Sequence, residues 1–189
     1  MMLEDFGFTK GINEVVGITF GDWINTAPLG VIVEDPKGRI ARVRVYPSHT
    51  RENLKRGILY VNVINDPVVF AVSAFDDLKE DWFESLNPPI IKNSLAWCKF
   101  EAKLKGDFAE LKLIEGGVVR RDLRAVNRGF NAIIEALVHA TRLKENPSLI
   151  EKVRYYSEIV RKCGSERELR ALEVMWEYLK RNGVWYLRD

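Results

Sequence analysis

Hydroxyls, amides and arginines gather in one stretch of the chain, from Asn25 to Asn62. Thr26, Ser48, Thr50 and Asn53 carry hydroxyl or amide groups that can meet phosphate oxygens. Arg42 and Arg44 alternate along one run, and Arg51 follows on the adjacent turn. Guanidinium forks suit phosphate oxygens. A helix starting near Thr50 would add free backbone N–H groups and a positive dipole end. The same residues also read as an ordinary helix cap beside a solvated arginine face, because Ser and Thr are common N-caps. Upstream, Asn25-Thr26-Ala27-Pro28 has little side-chain bulk, so a flat ligand can approach its backbone. It reads equally as a loop entering a strand. His49 lies inside the hydroxyl-rich turn, either as a contact or as a surface histidine.

Other chemistries lack their residues. The two histidines, His49 and His139, sit in unrelated segments, and Cys98 and Cys163 have no C-x-x-C spacing, so no metal site is expected. His139 follows Glu135 by four residues, which suggests a contact along one helix. There is no G-x-S-x-G elbow, no P-loop and no G-x-G-x-x-G after a strand, and no side chain stands out as a catalytic acid, base or nucleophile. Of the five tryptophans, Trp82, Trp97, Trp176 and Trp185 read as packing, and Trp23 alone adjoins the candidate site.

Composition sets the frame. In 189 residues, 47% are hydrophobic and 30% charged, which describes a globular chain with one core or a domain with an appendage. A net charge of +2 argues against a dedicated nucleic-acid binder. Met1 to Lys10 has no apolar run and the cysteines read as reduced, so the expected address is the cytoplasm.

The elements that must position the candidate residues change character near Arg120. Before it, strands are expected at Glu14–Phe20, Leu29–Val33, Arg39–Tyr46, Ile58–Ile64 and Val68–Ala74, with turns at 35–38 and 65–67. In Arg39–Tyr46, Ile40, Arg42, Arg44 and Tyr46 share one face, and Ala41, Val43 and Val45 the other. Thr50–Arg56 reads as a short helix capped by Ser48 or Thr50, and Asp76–Leu86 as a second helix broken by Asn87-Pro88-Pro89. Leu95–Lys105 and Phe108–Ile114 form an expected hairpin about Gly106-Asp107. After Arg120 the pattern is helical. A bulky stripe holds Leu123, Val126, Phe130, Ile133, Ile134, Leu137, Val138 and Thr141, a small stripe holds Ala125, Gly129, Ala132, Ala136 and Ala140, and a polar strip includes Glu135 and His139. Asn146-Pro147 opens another helix, Cys163-Gly164 closes it, and Ser165-Glu166-Arg167-Glu168 is a capping box for the last.

Three segments together resemble a known group: Asn25-Thr26-Ala27-Pro28-Leu29-Gly30, then Tyr46-Pro47-Ser48-His49-Thr50-Arg51-Glu52-Asn53-Leu54, then Gly57-Ile58-Leu59-Tyr60-Val61-Asn62-Val63. With Asn127-Arg128-Gly129 and Ile134 to Arg142, they are similar to the small, mostly archaeal FMN-binding proteins of the split-barrel, flavin reductase-like superfamily. The resemblance implies an α+β, mainly β fold: a six-stranded antiparallel split barrel over residues 1–120 and a helical part over 121–189. It implies FMN as cofactor and a homodimer with flavin at the subunit interface. Carried over, Asn25, Thr26, Ala27 and Pro28 line the flavin ring. Arg44, Ser48, Thr50 and Asn53 face the phosphate or ribityl chain, with Tyr46 and His49 beside them.

The resulting expectation is an FMN-binding flavoprotein, as an oxidoreductase or flavin reductase with NAD(P)H or another electron donor as partner. A flavin carrier or sensor is the alternative within that family. A module binding RNA or an acidic partner through the Arg39–Arg56 surface is the alternative outside it.

Overall fold

The computed structural model describes residues 1–183; Trp185 and the end of the expected helical part lie outside the described residues. Six strands close an antiparallel barrel in the order β1-β2-β3-β8-β7-β4. They are β1 (Gly11–Phe20), β2 (Ile24–Val33), β3 (Ile40–Arg44), β4 (Ile58–Val63), β7 (Ala96–Lys105) and β8 (Phe108–Val118). A small separate hairpin pairs β5 (Phe83–Leu86) with β6 (Pro89–Ile91). The helices are α1 (His49–Leu54), α2 (Pro67–Ser73), α3 (Arg128–Ala140), α4 (Ile150–Cys163) and α5 (Glu166–Arg181). The expected fold class, a six-stranded antiparallel barrel with C-terminal helices, is the one observed. No helix among the described residues is long and apolar enough to cross a membrane.

Alternation builds the barrel. On β3, Ala41 and Val43 point inward and are buried, while Ile40, Arg42 and Arg44 are exposed. Val31, Leu59, Val61, Phe100 and Leu111 join them in one core. Each such side chain contributes about 1.5–3 kcal/mol when fully buried. Asp35 closes the turn before β3, its carboxylate accepting from Lys37 N and its carbonyl from Gly38 N. Gly106 takes φ +59° in the β7–β8 turn, a left-handed backbone that suits glycine.

Two segments depart from the expected elements. Val68–Ala74 is not a strand. Its β-branched composition is overridden by Asp66, whose side chain caps Val68 N, and by Pro67 in the first turn of α2. Asp76–Leu86 is not a helix. A single 3-10 turn, Glu80–Trp82, leads into β5, where Phe83 is buried.

The chain forms two compact units. Residues 1–65 and 77–122 form the barrel unit; residues 66–76 and the described residues from 123 onward form the helical unit. In the helical unit, α3 starts later than its apolar stripe suggests. Asn127 caps it by accepting from Gly129 N and Phe130 N, so Leu123 and Val126 precede it and are exposed. Within α3, Gly129, Ala132, Ala136 and Ala140 are buried together with Ile133 and Leu137, and Gly129 approaches Gly164 so closely that a Cβ would lie 2.4 Å from the Gly164 Cα. The expected capping box at Ser165 and Glu168 is present. His139 stacks on Tyr156 with ring centroids 5.8 Å apart, and the charge of Glu135 acts on it.

Candidate functional site

The barrel is split along β2. Strand β2 pairs with β1 over its full length, from Phe20↔Ile24 to Gly11↔Val33. It pairs with β3 only at Val31↔Val43 and Ile32↔Arg42. The first half of β2 therefore turns an edge away from both ladders. Asn25, Thr26, Ala27 and Pro28 lie within this strand, not in an entry loop. Thr26 sends its N–H to a carboxylate and not into the β1 ladder. By period two Pro28 shares that orientation, which explains a proline inside a long strand: its missing N–H falls on the open edge.

A hydrogen-bonded network ties this edge to α1. The Thr50 hydroxyl donates to Asn25 Oδ1 at 2.9 Å, and the Thr19 hydroxyl donates to the same oxygen at 3.1 Å. Asn53 Nδ2 donates to Thr19 Oγ1 at 3.1 Å. Asn25 Nδ2, Thr26 N and Trp23 Nε1 all donate to Asp77, at 3.0, 2.7 and 2.7 Å. Thr26 Oγ1 in turn accepts from Leu78 N at 2.9 Å. Asn25, Thr26 and Thr50 are buried, so their side chains are held inward. Ala27 packs against the barrel core.

The rim is aromatic and cationic. Trp23 and His49 meet edge to face, with centroids 5.1 Å apart. The Arg44 guanidinium lies 5.2 Å from the Tyr46 ring centroid, and both residues are exposed. Arg44 makes no ion pair among the described residues, whereas Arg42 pairs with Glu34 at 3.1 Å. Ser48 caps α1: its hydroxyl accepts from Arg51 N and donates to the Tyr46 carbonyl. Arg51 is spent on the Val45 and Gly106 carbonyls. At six residues, α1 is too short to offer a dipole site of its own.

The structure thus brings Asn25, Thr26, Thr50 and Asn53 into one network, sets His49 on its rim through Trp23, and pairs Arg44 with Tyr46 at the end of β3. Two members escaped sequence reasoning. Asp77 lies 51 residues from Thr26, with no spacing signal to connect them. Thr19 sat unremarked in an apolar run, although a hydroxyl there was the available clue.

The family described as "Protein of unknown function (DUF447) N-terminal domain" matches residues 13–124, and its companion "Protein of unknown function (DUF447)" matches residues 127–177. The chain belongs to the DUF447 family. An FMN-bound DUF447 protein from Methanosarcina mazei has a similar structure, with a TM-score of 0.82 and 34% identity, covering 94% of this chain and 100% of its own. More distantly similar is BorF, the flavin reductase component of a bacterial two-component tryptophan halogenase. It has a TM-score of 0.43 and 17% identity, over 65% of this DUF447 chain and 86% of its own. The styrene monooxygenase flavin reductase from Pseudomonas putida S12 has a TM-score of 0.40 and 15% identity, over 62% and 87%. At these last two scores the likeness assigns no residue and no activity.

Proposed function

We propose that this chain binds FMN at the split of the barrel. The reading rests on its similarity to the FMN-bound Methanosarcina mazei protein, which extends over 94% of the chain. The donor set fits the ligand. An open β-edge offers backbone polar groups to a flat, hydrogen-bonding ring, and Pro28 and Ala27 keep that edge free of bulk. The exposed Arg44 supplies donors for a phosphate, while His49 lies on the rim against Trp23. Asn25, Thr26, Thr50 and Asn53 would act by holding the edge and α1 in place, since their side chains are engaged with one another, with Thr19 or with Leu78 N. Ser48 would shape the turn. Tyr46 would hold the Arg44 guanidinium by its ring face.

Bound FMN would supply hydride or electron transfer. The chain's own residues would bind it, orient it and limit its exposure to water. Oxidoreductase activity with NADH or NADPH is the activity to test; a carrier or sensor role follows if neither reduces the flavin. A homodimer with the site at the subunit interface is part of the proposal, and light scattering that reports a monomer removes that part.

Against the RNA or acidic-partner reading stand the contacts of three arginines. Arg39 donates to the Leu113 carbonyl at 2.7 and 3.1 Å, and Arg42 and Arg51 are likewise committed within the barrel unit. The deciding experiment is a titration of FMN fluorescence with the apoprotein. Saturable quenching is expected, and Arg44→Ala should weaken binding by about 10- to 100-fold, the worth of a hydrogen bond to a charged group. Unquenched FMN with the wild-type protein sinks the reading.

A further inference from the structure

We propose that Asp77 is a positioning residue for the split of the barrel, locking the β2 edge and, through Asn25, the Thr50 end of α1. The inference rests on the flavin reading for its consequence but not for its geometry. Asp77 is the first residue of the chain's return to the barrel unit after α2. Its Oδ1 accepts from Asn25 Nδ2 and from Thr26 N, and its Oδ2 accepts from Trp23 Nε1. The next residue completes the seal, as Leu78 N donates back to Thr26 Oγ1. A side chain and a backbone amide thus replace the missing β3 ladder at Thr26. The open edge begins after Thr26.

The carboxylate also decides which way Asn25 faces. An ionised carboxylate only accepts hydrogen bonds, so Asn25 must present its NH2 to Asp77. Its Oδ1 is then turned toward Thr19 and Thr50, and both hydroxyls donate into it. Reversing the amide would set an oxygen against the carboxylate and turn an NH2 toward the two hydroxyls, which could then no longer donate to it. The Thr50 proton is therefore committed, and Thr50 anchors α1 rather than donating to a phosphate. Charge sign adds a direction. An anion at the Trp23–Thr26 end of β2 disfavours a phosphate there, which leaves the Arg44 end for it.

The test needs both apoprotein and flavin readouts. In the wild-type apoprotein, the Thr26 amide and the Trp23 indole proton should exchange slowly, although neither lies in a β-ladder. Asp77→Asn keeps the size but turns one acceptor into a donor, so a donor must face Trp23 or Asn25 and Thr26. Faster Thr26 exchange and shifted Asn25 side-chain amide resonances are expected in that variant. Its FMN Kd should rise about tenfold or more. Combined with Thr50→Val, the Asp77→Asn effect on Kd should be clearly non-additive, because both act through Asn25. Rapid wild-type exchange at Thr26 and Trp23 overturns the proposal without any variant. So does an Asp77→Asn protein with wild-type Kd, or strict additivity with Thr50→Val. If wild-type protein binds no FMN, the flavin reading fails, and the exchange data alone still decide whether Asp77 locks the edge.

Discussion

Asn25 on β2 and Thr50 on α1 are joined by a 2.9 Å hydrogen bond from the Thr50 hydroxyl to the Asn25 amide oxygen. Both side chains are buried, at 9% and 6% exposure, so water cannot replace the bond. Thr50→Val keeps the shape and removes the donor. It should destabilise the barrel unit by about 1 kcal/mol, the net worth of one such bond, with Asn25 still held by Thr19. Thr50→Ser keeps the hydroxyl and should lose only the small packing contribution of one methyl. Urea denaturation of the two variants checks the difference. Equal midpoints for both would show that the hydroxyl is not what holds α1.

Gly129→Ala should destabilise the helical unit, against its intrinsic effect. Alanine in a helix is favoured over glycine by about 1 kcal/mol. Here the added Cβ would lie 2.4 Å from Gly164 Cα and 2.6 Å from Gly164 N, which are backbone atoms. They can yield only if the end of α4 moves away from α3. Overpacking of this kind costs about 1–3 kcal/mol or more, so the clash outweighs the propensity gain. A lowered melting temperature is the expected result. A raised one would mean that α3 and α4 separate without cost.

How far the sequence could be read depended on whether partners were near in the chain. The alternation from Arg39 to Tyr46 announced its own faces, and Ala41, Val43 and Val45 are buried as that pattern requires. The capping box at Ser165 was legible because both of its partners lie within four residues. α2 was misread because valines dominate its composition, and the local signal was confined to Asp66-Pro67. Arg39 and Arg51 looked like surface charge, but each ends on main-chain carbonyls that belong to distant strands or turns. Asp77 was invisible for the same reason: the residues it organises are contiguous, and it is not.

Acid should weaken the helical unit in two stages. Burial lowers the His139 pKa below its ordinary value, aided by Lys152 and Arg142 and opposed by Glu135, and its Nδ1 is buried without a partner. The unfolded chain then binds the proton more readily. Stability present above about pH 6.5 is lost as pH falls toward the lower folded pKa. His139→Phe retains a ring against Tyr156 and should flatten that part of the profile. Glu168, at 2% exposure, behaves as a carboxylate held charged. Burial opposes its ionisation, but hydrogen bonds from Ser165 and the Arg124 guanidinium 3.2 Å away outweigh it and lower the pKa. Its contribution is present above about pH 4.3 and is lost as pH falls through the folded value. Glu168→Gln should lower the melting temperature at neutral pH and remove the second stage. Melting curves from pH 7.5 to 3.5 check both. A wild-type profile flat between pH 7 and 5 would contradict the His139 assignment.

The two cysteines should report on the two units separately. Cys98 lies on β7 inside the barrel core at 0% exposure, and burial pushes its thiol up to about 12. Only the thiolate attacks a disulfide reagent, so Cys98 is protected both by access and by ionisation. Cys163 ends α4 and is part-exposed. With a thiol-reactive chromophore at pH 8, the native protein should titrate rapidly at Cys163 alone. Cys98 should react only in denaturant or at the rate at which the barrel opens. Cys163→Ser should remove the fast phase and leave the slow one. Because Cys98 sits on the strand that pairs with β4 at Val61, its slow phase measures opening of the ladder and not of the β2 edge. FMN bound at the split should therefore slow it only through overall stability, by mass action. A fast Cys98 reaction in the native protein would mean that the barrel opens on the timescale of the reagent.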